Sequence, residues 1–147
     1  MRMPAGPKTP LVETDVLVAA IDPEDPHHSE ASAVISYQNI AFTPYILLEL
    51  DLLLKSGRIE VLDYEEFWHK IGDLITFYRI KILSPGPIYH AEAARLRALY
   101  NLSYFDSLHA ATAIVESTPL ISYDKKAYNR IRGLRYVHPK QFITNDA

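Results

Sequence analysis

The chain has 147 residues and a formal net charge of −3, with 48% of its residues hydrophobic and 22% charged. That length and balance fit one globular domain able to bury a real core. It holds no cysteine, which excludes a disulfide framework, a zinc–thiolate site and a thiol nucleophile together. There is no general positive field either, so contact with nucleic acid needs a local basic patch or a bridging metal.

Residues 1–10 carry three prolines and a glycine and lack the apolar core of a signal peptide. They read as a loose tail, which places the domain at residues 11–147. Leu11-Val12 opens a short strand, and Val16 to Ile21 carries apolar character into a turn of helix. Asp22 to Pro26 is a loop, followed by a helix from His27 to Tyr37. Ile40 to Thr43 is a second strand, and Pro44 suits the first turn of a helix reaching about Lys55, where Ser56-Gly57 ends it.

From Tyr64 to Arg79 the apolar residues Phe67, Ile71, Leu74, Ile75 and Tyr78 recur at helical spacing. Ile80 to Leu83 is a strand, Ser84-Pro85-Gly86 a turn, and Pro87 to about Tyr100 a helix. Asp106 opens a further helix over Ser107 to Glu116, rich in alanine for close packing. Pro119 to Ser122 is a strand, Lys125 to Ile131 a short helix, and Leu134 to Val137 a last strand. Such alternation predicts an α/β fold, a three-layer α/β/α sandwich around a mainly parallel sheet. Glu49 and Asp51 interrupt the longest apolar run, which falls short of the ~18 residues that span a bilayer. A soluble cytoplasmic protein without membrane contact is expected.

Five acids sit at the edges of apolar structure. Glu13 follows Leu11-Val12, with Asp15 two residues on. Glu49 lies inside Ile46-Leu47-Leu48-Glu49-Leu50, in a helix that reads as apolar nearly all round and therefore buried. No lysine or arginine three or four residues away pairs with it, so it should be paired elsewhere, protonated or bound to metal. Asp106 and Asp124 each precede or begin a helix, where a carboxylate also serves as a cap or dipole partner. Glu13 and Asp15 flank Thr14, and at a strand-to-helix junction one is a ligand and the other a cap. In a parallel sheet, acids at the carboxyl ends of strands share one edge. All-oxygen sites of this kind suit Mg²⁺ or Mn²⁺.

In order and spacing, these segments resemble the PIN domain, a family of metal-dependent ribonucleases that includes the VapC-type toxins. Val12-Glu13-Thr14-Asp15-Val16-Leu17 is similar to the family's opening strand, and Thr43 to Leu50 to its second segment. Tyr104-Phe105-Asp106-Ser107-Leu108-His109-Ala110-Ala111-Thr112-Ala113 is the most specific match, and Pro119 to Lys125 resembles the fourth segment. One departure stands out: the family's first acid is an aspartate, and alignment puts Glu13 there, with Asp15 as the alternative.

The resemblance implies hydrolysis of RNA phosphodiester bonds with Mg²⁺ or Mn²⁺. Glu13, Glu49, Asp106 and Asp124 would be catalytic. The same four with Asp15 would be metal ligands, and Thr14 and Ser122 supporting hydroxyls. A small antitoxin partner and a homodimer are further implications, with Trp68 a candidate surface aromatic. Lys125, Lys126, Arg130 and Arg132 are the cations placed to meet RNA, and Tyr123 or Tyr45 the rings placed to stack on a base. His109, one turn after Asp106, is read either as its hydrogen-bond partner or as a packed core histidine.

Two other readings compete. A PIN-like RNA- or protein-binding module would have lost catalysis through Glu13. A receiver-like signalling domain would carry a lysine on the final strand, and Leu134-Arg135-Tyr136-Val137 offers none.

Overall fold

Every strand described is two residues long, and three of them are followed by residues of the site: Glu13, Thr43 and Ser122. In the computed structural model, which describes residues 8–37 and 39–145, these strands are β1 (Leu11–Val12), β2 (Ala41–Phe42), β3 (Lys81–Ile82), β4 (Leu120–Ile121) and β5 (Tyr136–Val137). They form one wholly parallel sheet in the order β3-β2-β1-β4-β5. Leu11 lies opposite Ala41 and Leu120, and Val12 opposite Phe42 and Ile121. Continuing that register by one residue sets Glu13 between Thr43 and Ser122 at the carboxyl edge. All three are buried, and the Glu13 N–H donates to the Ile121 carbonyl at 3.0 Å.

The alternation of a strand divides the core in two. Val12, Phe42 and Ile121 face one side, packed with Val16, Leu17, Val34, Ile46, Leu50, Ile71 and Phe142. These come from α1 (Thr14–Ile21), α2 (His28–Ile35), α3 (Ile46–Lys55), α4 (Tyr64–Phe77) and α8 (Pro139–Asn145). Leu11, Ala41 and Leu120 face the other, against Tyr89, Ala93, Leu96, Leu108, Ala111 and Tyr128. Those belong to α5 (Pro87–Tyr100), α6 (Tyr104–Glu116) and α7 (Lys125–Tyr128). The result is the expected three-layer α/β/α sandwich. Ala93 of α5 and Ala110, Ala111 and Ala113 of α6 are essentially fully buried, as close helix packing requires.

Several boundaries differ from expectation. Residues 1–7 of the expected tail lie outside the described residues. Within residues 8–10, the Pro10 carbonyl accepts from Ala41 N–H at 2.9 Å and the Thr9 carbonyl from the Thr118 hydroxyl. Helix α1 starts at Thr14 rather than Val16, because Glu13 caps it. Pro44 falls in the turn before α3, and α4 stops at Phe77 because Arg79 turns left-handed at φ 54°. Gly57, at φ +80°, takes the left-handed turn that ends α3. Helix α6 begins at Tyr104 with Ser103 at its N-cap, so Asp106 lies within its first turn instead of opening it. Helix α8 had no sequence counterpart.

Helix α3 is also not buried all round. Leu50 and Leu54 are enclosed, but Leu48 is 54% exposed and Leu52 45%. Trp68 is partly buried against the core, edge-on to Phe67 at 5.5 Å. Among the described residues no helix is long and apolar enough to cross a membrane.

Candidate functional site

At the carboxyl edge of the sheet a cleft of about 430 Å³ is lined by Glu13, Asp15, Asp25, Glu49, Asp106 and Asp124 together with Thr14, His27, Leu53 and Tyr123. Five of these six acids are the candidates from sequence, brought in from the end of β1, from α1, α3 and α6, and from the residue after the β4 loop. Asp25, in the loop before α2, is an addition. Among the described residues no lysine or arginine lines the cleft.

The carboxylates are held differently. Glu13 is 5% exposed, and one of its oxygens caps α1 by accepting from the Asp15 N–H at 3.4 Å. Asp15 Oδ2 accepts from Ser122 Oγ at 2.7 Å and from the Tyr123 N–H at 3.0 Å. Its other oxygen, Oδ1, is buried without a partner. Ser122 Oγ is also 3.2 Å from Glu13 Oε2 and accepts from the Asp124 N–H at 3.0 Å. Ser122 thus lies behind the acids and ties them together. Asp106 Oδ1 accepts from the buried Tyr128 hydroxyl at 3.2 Å. Asp124 is exposed at the rim and caps α7 through the Ala127 N–H at 3.0 Å, so its capping role and its place at the cleft coexist.

Glu49 has a partner that spacing along its own helix could not reveal. His109 Nε2 lies 2.8 Å from Glu49 Oε1, 3.3 Å from Thr14 Oγ1 and 3.7 Å from Glu13 Oε1. His109 Nδ1 lies 2.8 Å from Thr43 Oγ1. The ring is fully buried and turns inward toward β2, so its hydrogen bond goes to Glu49 and not to Asp106. One ligand atom each from Glu13, Glu49 and His109 fall within 4.8 Å of one another.

The electrostatics follow from this crowding. Burial, then the charges of Asp15, Glu49 and Asp106, push the Glu13 carboxyl well above its ordinary range. Burial raises Asp15 too, partly offset by the hydrogen bonds from Ser122 and Tyr123. Asp106 is raised by burial against the opposing hydrogen bonds of Ser103 and Tyr128. At Glu49 burial pushes upward, but the hydrogen bond from His109 prevails and holds the carboxyl below the usual value.

The expected RNA contacts fare unevenly. Lys125 and Lys126 are exposed on α7 beside Asp124 but do not line the cleft. Arg130 is committed elsewhere, its Nη2 donating to the Tyr100 carbonyl at 2.6 Å. Tyr45 is buried edge-on to His90 and reaches no cleft wall. Tyr123 does line the cleft, but His27 already stacks on it at 4.3 Å and its hydroxyl donates to Glu30 at 3.0 Å. A second groove of about 360 Å³ shares Glu49 and Leu53 with the first and is lined by Leu52, Ser56, Arg58, Ser103, Tyr104 and Phe105.

Sequence reasoning did not find Thr43, Tyr128 or Asp25, nor His109's link to Glu49. Thr43 had a usable signal, since it follows β2 as Glu13 follows β1. Tyr128 had none, because only the packing of α7 against α6 brings its hydroxyl to Asp106.

Residues 11–134 match the model of the PIN domain family. No curated protein matches the sequence significantly. Among solved structures, the chain is similar to VapBC2 from Rickettsia felis bound to a DNA fragment from their promoter, with 20% identity, a TM-score of 0.69, and coverage of 88% of this chain and 97% of that one. It is similar to a toxin–antitoxin complex from Klebsiella pneumoniae at 21% identity and TM-score 0.65, covering 88% and 96%. DNA-bound VapBC from Salmonella typhimurium gives 16% identity and TM-score 0.69, covering 89% and 98%.

Proposed function

The chain belongs to the PIN domain family, and from that membership and its acid cleft we propose a metal-dependent ribonuclease that hydrolyses RNA phosphodiester bonds. One observation carries the reading: six carboxylates line a single cleft into which no lysine or arginine among the described residues reaches. Like charges so placed raise one another's pKa unless a cation is present.

The donor set fits Mg²⁺ or Mn²⁺, hard ions that take oxygen ligands. Asp15 Oδ1 is a buried carboxylate oxygen with no hydrogen-bond donor, which a cation would satisfy. Glu13, Asp15, Glu49 and Asp106 would hold the ion, with Asp124 reaching it from the rim. When bound, such an ion supplies neutralising charge, a water acidified for in-line attack, and a counter-charge to the phosphorane-like transition state. Ser122 orients Asp15 and Glu13, and Tyr128 orients Asp106. Thr14, bonded at the same imidazole as Glu49, supports that side of the cleft.

RNA would approach past Lys125 and Lys126 on one side and along the adjoining groove, where Arg58 and the exposed ring of Tyr104 lie, on the other. The similar structures are toxin–antitoxin complexes, which supports a toxin held in check by a small antitoxin. Leu52 and Leu48, exposed on α3, are apolar side chains available to that partner. A PIN-like module without catalysis is favoured by one observation, that Glu13 is engaged by Ser122 and by its cap.

Cleavage of single-stranded RNA with Mn²⁺, with EDTA, and by Asp106→Asn separates the two readings. The nuclease reading expects cleavage only in the first condition. Binding of RNA without cleavage in any condition supports the module.

A further inference from the structure

We infer that His109 is a positioning residue, which orients the Glu49 carboxylate toward the cation while Thr43 holds its other ring nitrogen. The inference rests on the metal-site reading above and assigns a role to a residue outside the proposed ligand set.

A buried imidazole needs a partner at each nitrogen. His109 is 0% exposed, and both of its nitrogens have one. Thr43 Oγ1 already accepts the Tyr45 N–H at 3.3 Å. Glu49 Oε1, a carboxylate oxygen, can only accept, so the ring hydrogen sits on Nε2, 2.8 Å from it, and Nδ1 accepts the Thr43 hydroxyl proton, 2.8 Å away. That Nε2–H directs Glu49 Oε1 inward and leaves the other carboxylate oxygen for the cleft.

The type of residue matters as well. A lysine or arginine here would bring a full charge beside Glu49 and compete with the cation. An imidazole in this tautomer gives one directed hydrogen bond without that charge. It also joins β2, through Thr43, to α3, through Glu49, and to the start of α1, through Thr14. The competing role is direct ligation, since the His109, Glu13 and Glu49 ligand atoms lie within 4.8 Å of one another. An Nε2 that carries hydrogen has no lone pair for a metal.

The test is Mn²⁺ titration calorimetry on the full chain as wild type, His109→Leu and His109→Gln, with pulsed electron paramagnetic resonance of the Mn²⁺-loaded wild type. Loss of a group that orients a ligand typically costs 10–100-fold in metal affinity. His109→Leu is expected to weaken Mn²⁺ binding by about that factor, and His109→Gln, which keeps an N–H donor, to restore affinity to within about threefold of wild type. The spectrum is expected to lack the coupling of a directly bound nitrogen. Wild-type affinity in His109→Leu, or a directly bound ¹⁴N, overturns the inference alone. Failure of the wild type to bind Mn²⁺ at millimolar concentration overturns the metal site with it. Should His109→Leu not fold, the spectrum and His109→Gln decide: a bound nitrogen, or a hundredfold loss in His109→Gln, contradicts the role.

Discussion

Ser122 Oγ lies 2.7 Å from Asp15 Oδ2, a hydrogen bond between residues 107 positions apart that closes the end of β4 onto the first turn of α1. The same hydroxyl stands 3.2 Å from Glu13 Oε2. Glu13 and Asp15 are therefore not alternatives in space: both reach the cleft, one from the strand end and one from the helix. The buried Asp15 Oδ1 has no hydrogen-bond partner, so on the proposed reading Asp15 would hold the ion beside Glu13, in the place of the family's first aspartate. On this account Asp15→Asn costs at least as much RNA cleavage as Glu13→Gln. Steady-state rates with Mn²⁺ check the order, and a fully active Asp15→Asn contradicts it.

The pH dependence of stability follows from the raised carboxyls. Burial lifts the Glu13 pKa well above its ordinary 4.5. The folded chain then holds a proton that the unfolded chain releases in the ordinary glutamate range. The stability this contributes is present at low pH, falls as pH rises through the folded pKa, and levels off above it. Asp15 and Asp106 act with the same sign, while Glu49, held low, acts with the opposite one. In EDTA the melting temperature attributable to Glu13 should fall with rising pH, and Glu13→Gln should flatten that slope. An unchanged slope in the variant rejects this origin.

Metal affinity should run the other way with pH. Cations need deprotonated carboxylates, so Mn²⁺ binding tightens as pH rises through the same range. Asp106→Asn should abolish cleavage yet stabilise the metal-free protein by roughly 1 kcal/mol, because it removes a repelled charge from a functional site. Thermal melts with and without Mn²⁺ read both effects. Destabilisation of the metal-free variant beyond about 1 kcal/mol would assign Asp106 a structural role instead.

Much of this was legible from sequence, for a physical reason. Carboxylates inside apolar runs are costly, so Glu13, Glu49 and Asp106 announce themselves wherever burial is readable from pattern. Strands β1, β2 and β4 were found because each is a buried apolar pair ended by a polar residue. What stayed hidden depends on contacts between distant elements. His109 lies 60 residues from Glu49 and 66 from Thr43, and a helical repeat within α6 relates it only to Asp106. The exposure of Leu48 and Leu52 was missed because a leucine-rich helix reads as buried from composition, while α3 packs only one face.

On the proposed reading, RNA binding would separate two groups of cations. Lys125 and Lys126 are exposed and uncommitted beside the cleft. Replacing both with alanine should lower the slope of log affinity against log salt by about 0.7 for each phosphate that is no longer neutralised. Arg130 anchors the end of α5 through the Tyr100 carbonyl. Arg130→Ala should therefore lower stability by about 1 kcal/mol and leave the salt slope unchanged. Fluorescence anisotropy on a short single-stranded RNA at several salt concentrations distinguishes them. A changed slope for Arg130→Ala, or an unchanged one for the lysine pair, reverses the assignment.

The central claim is that this cleft gathers a divalent cation, and a crystal soaked in Mn²⁺ tests it most directly. Anomalous density is predicted between Glu13, Asp15, Glu49 and Asp106, with Ser122 and His109 behind the carboxylates and outside bonding distance. A well-ordered crystal at high Mn²⁺ with no anomalous peak in the cleft contradicts the account.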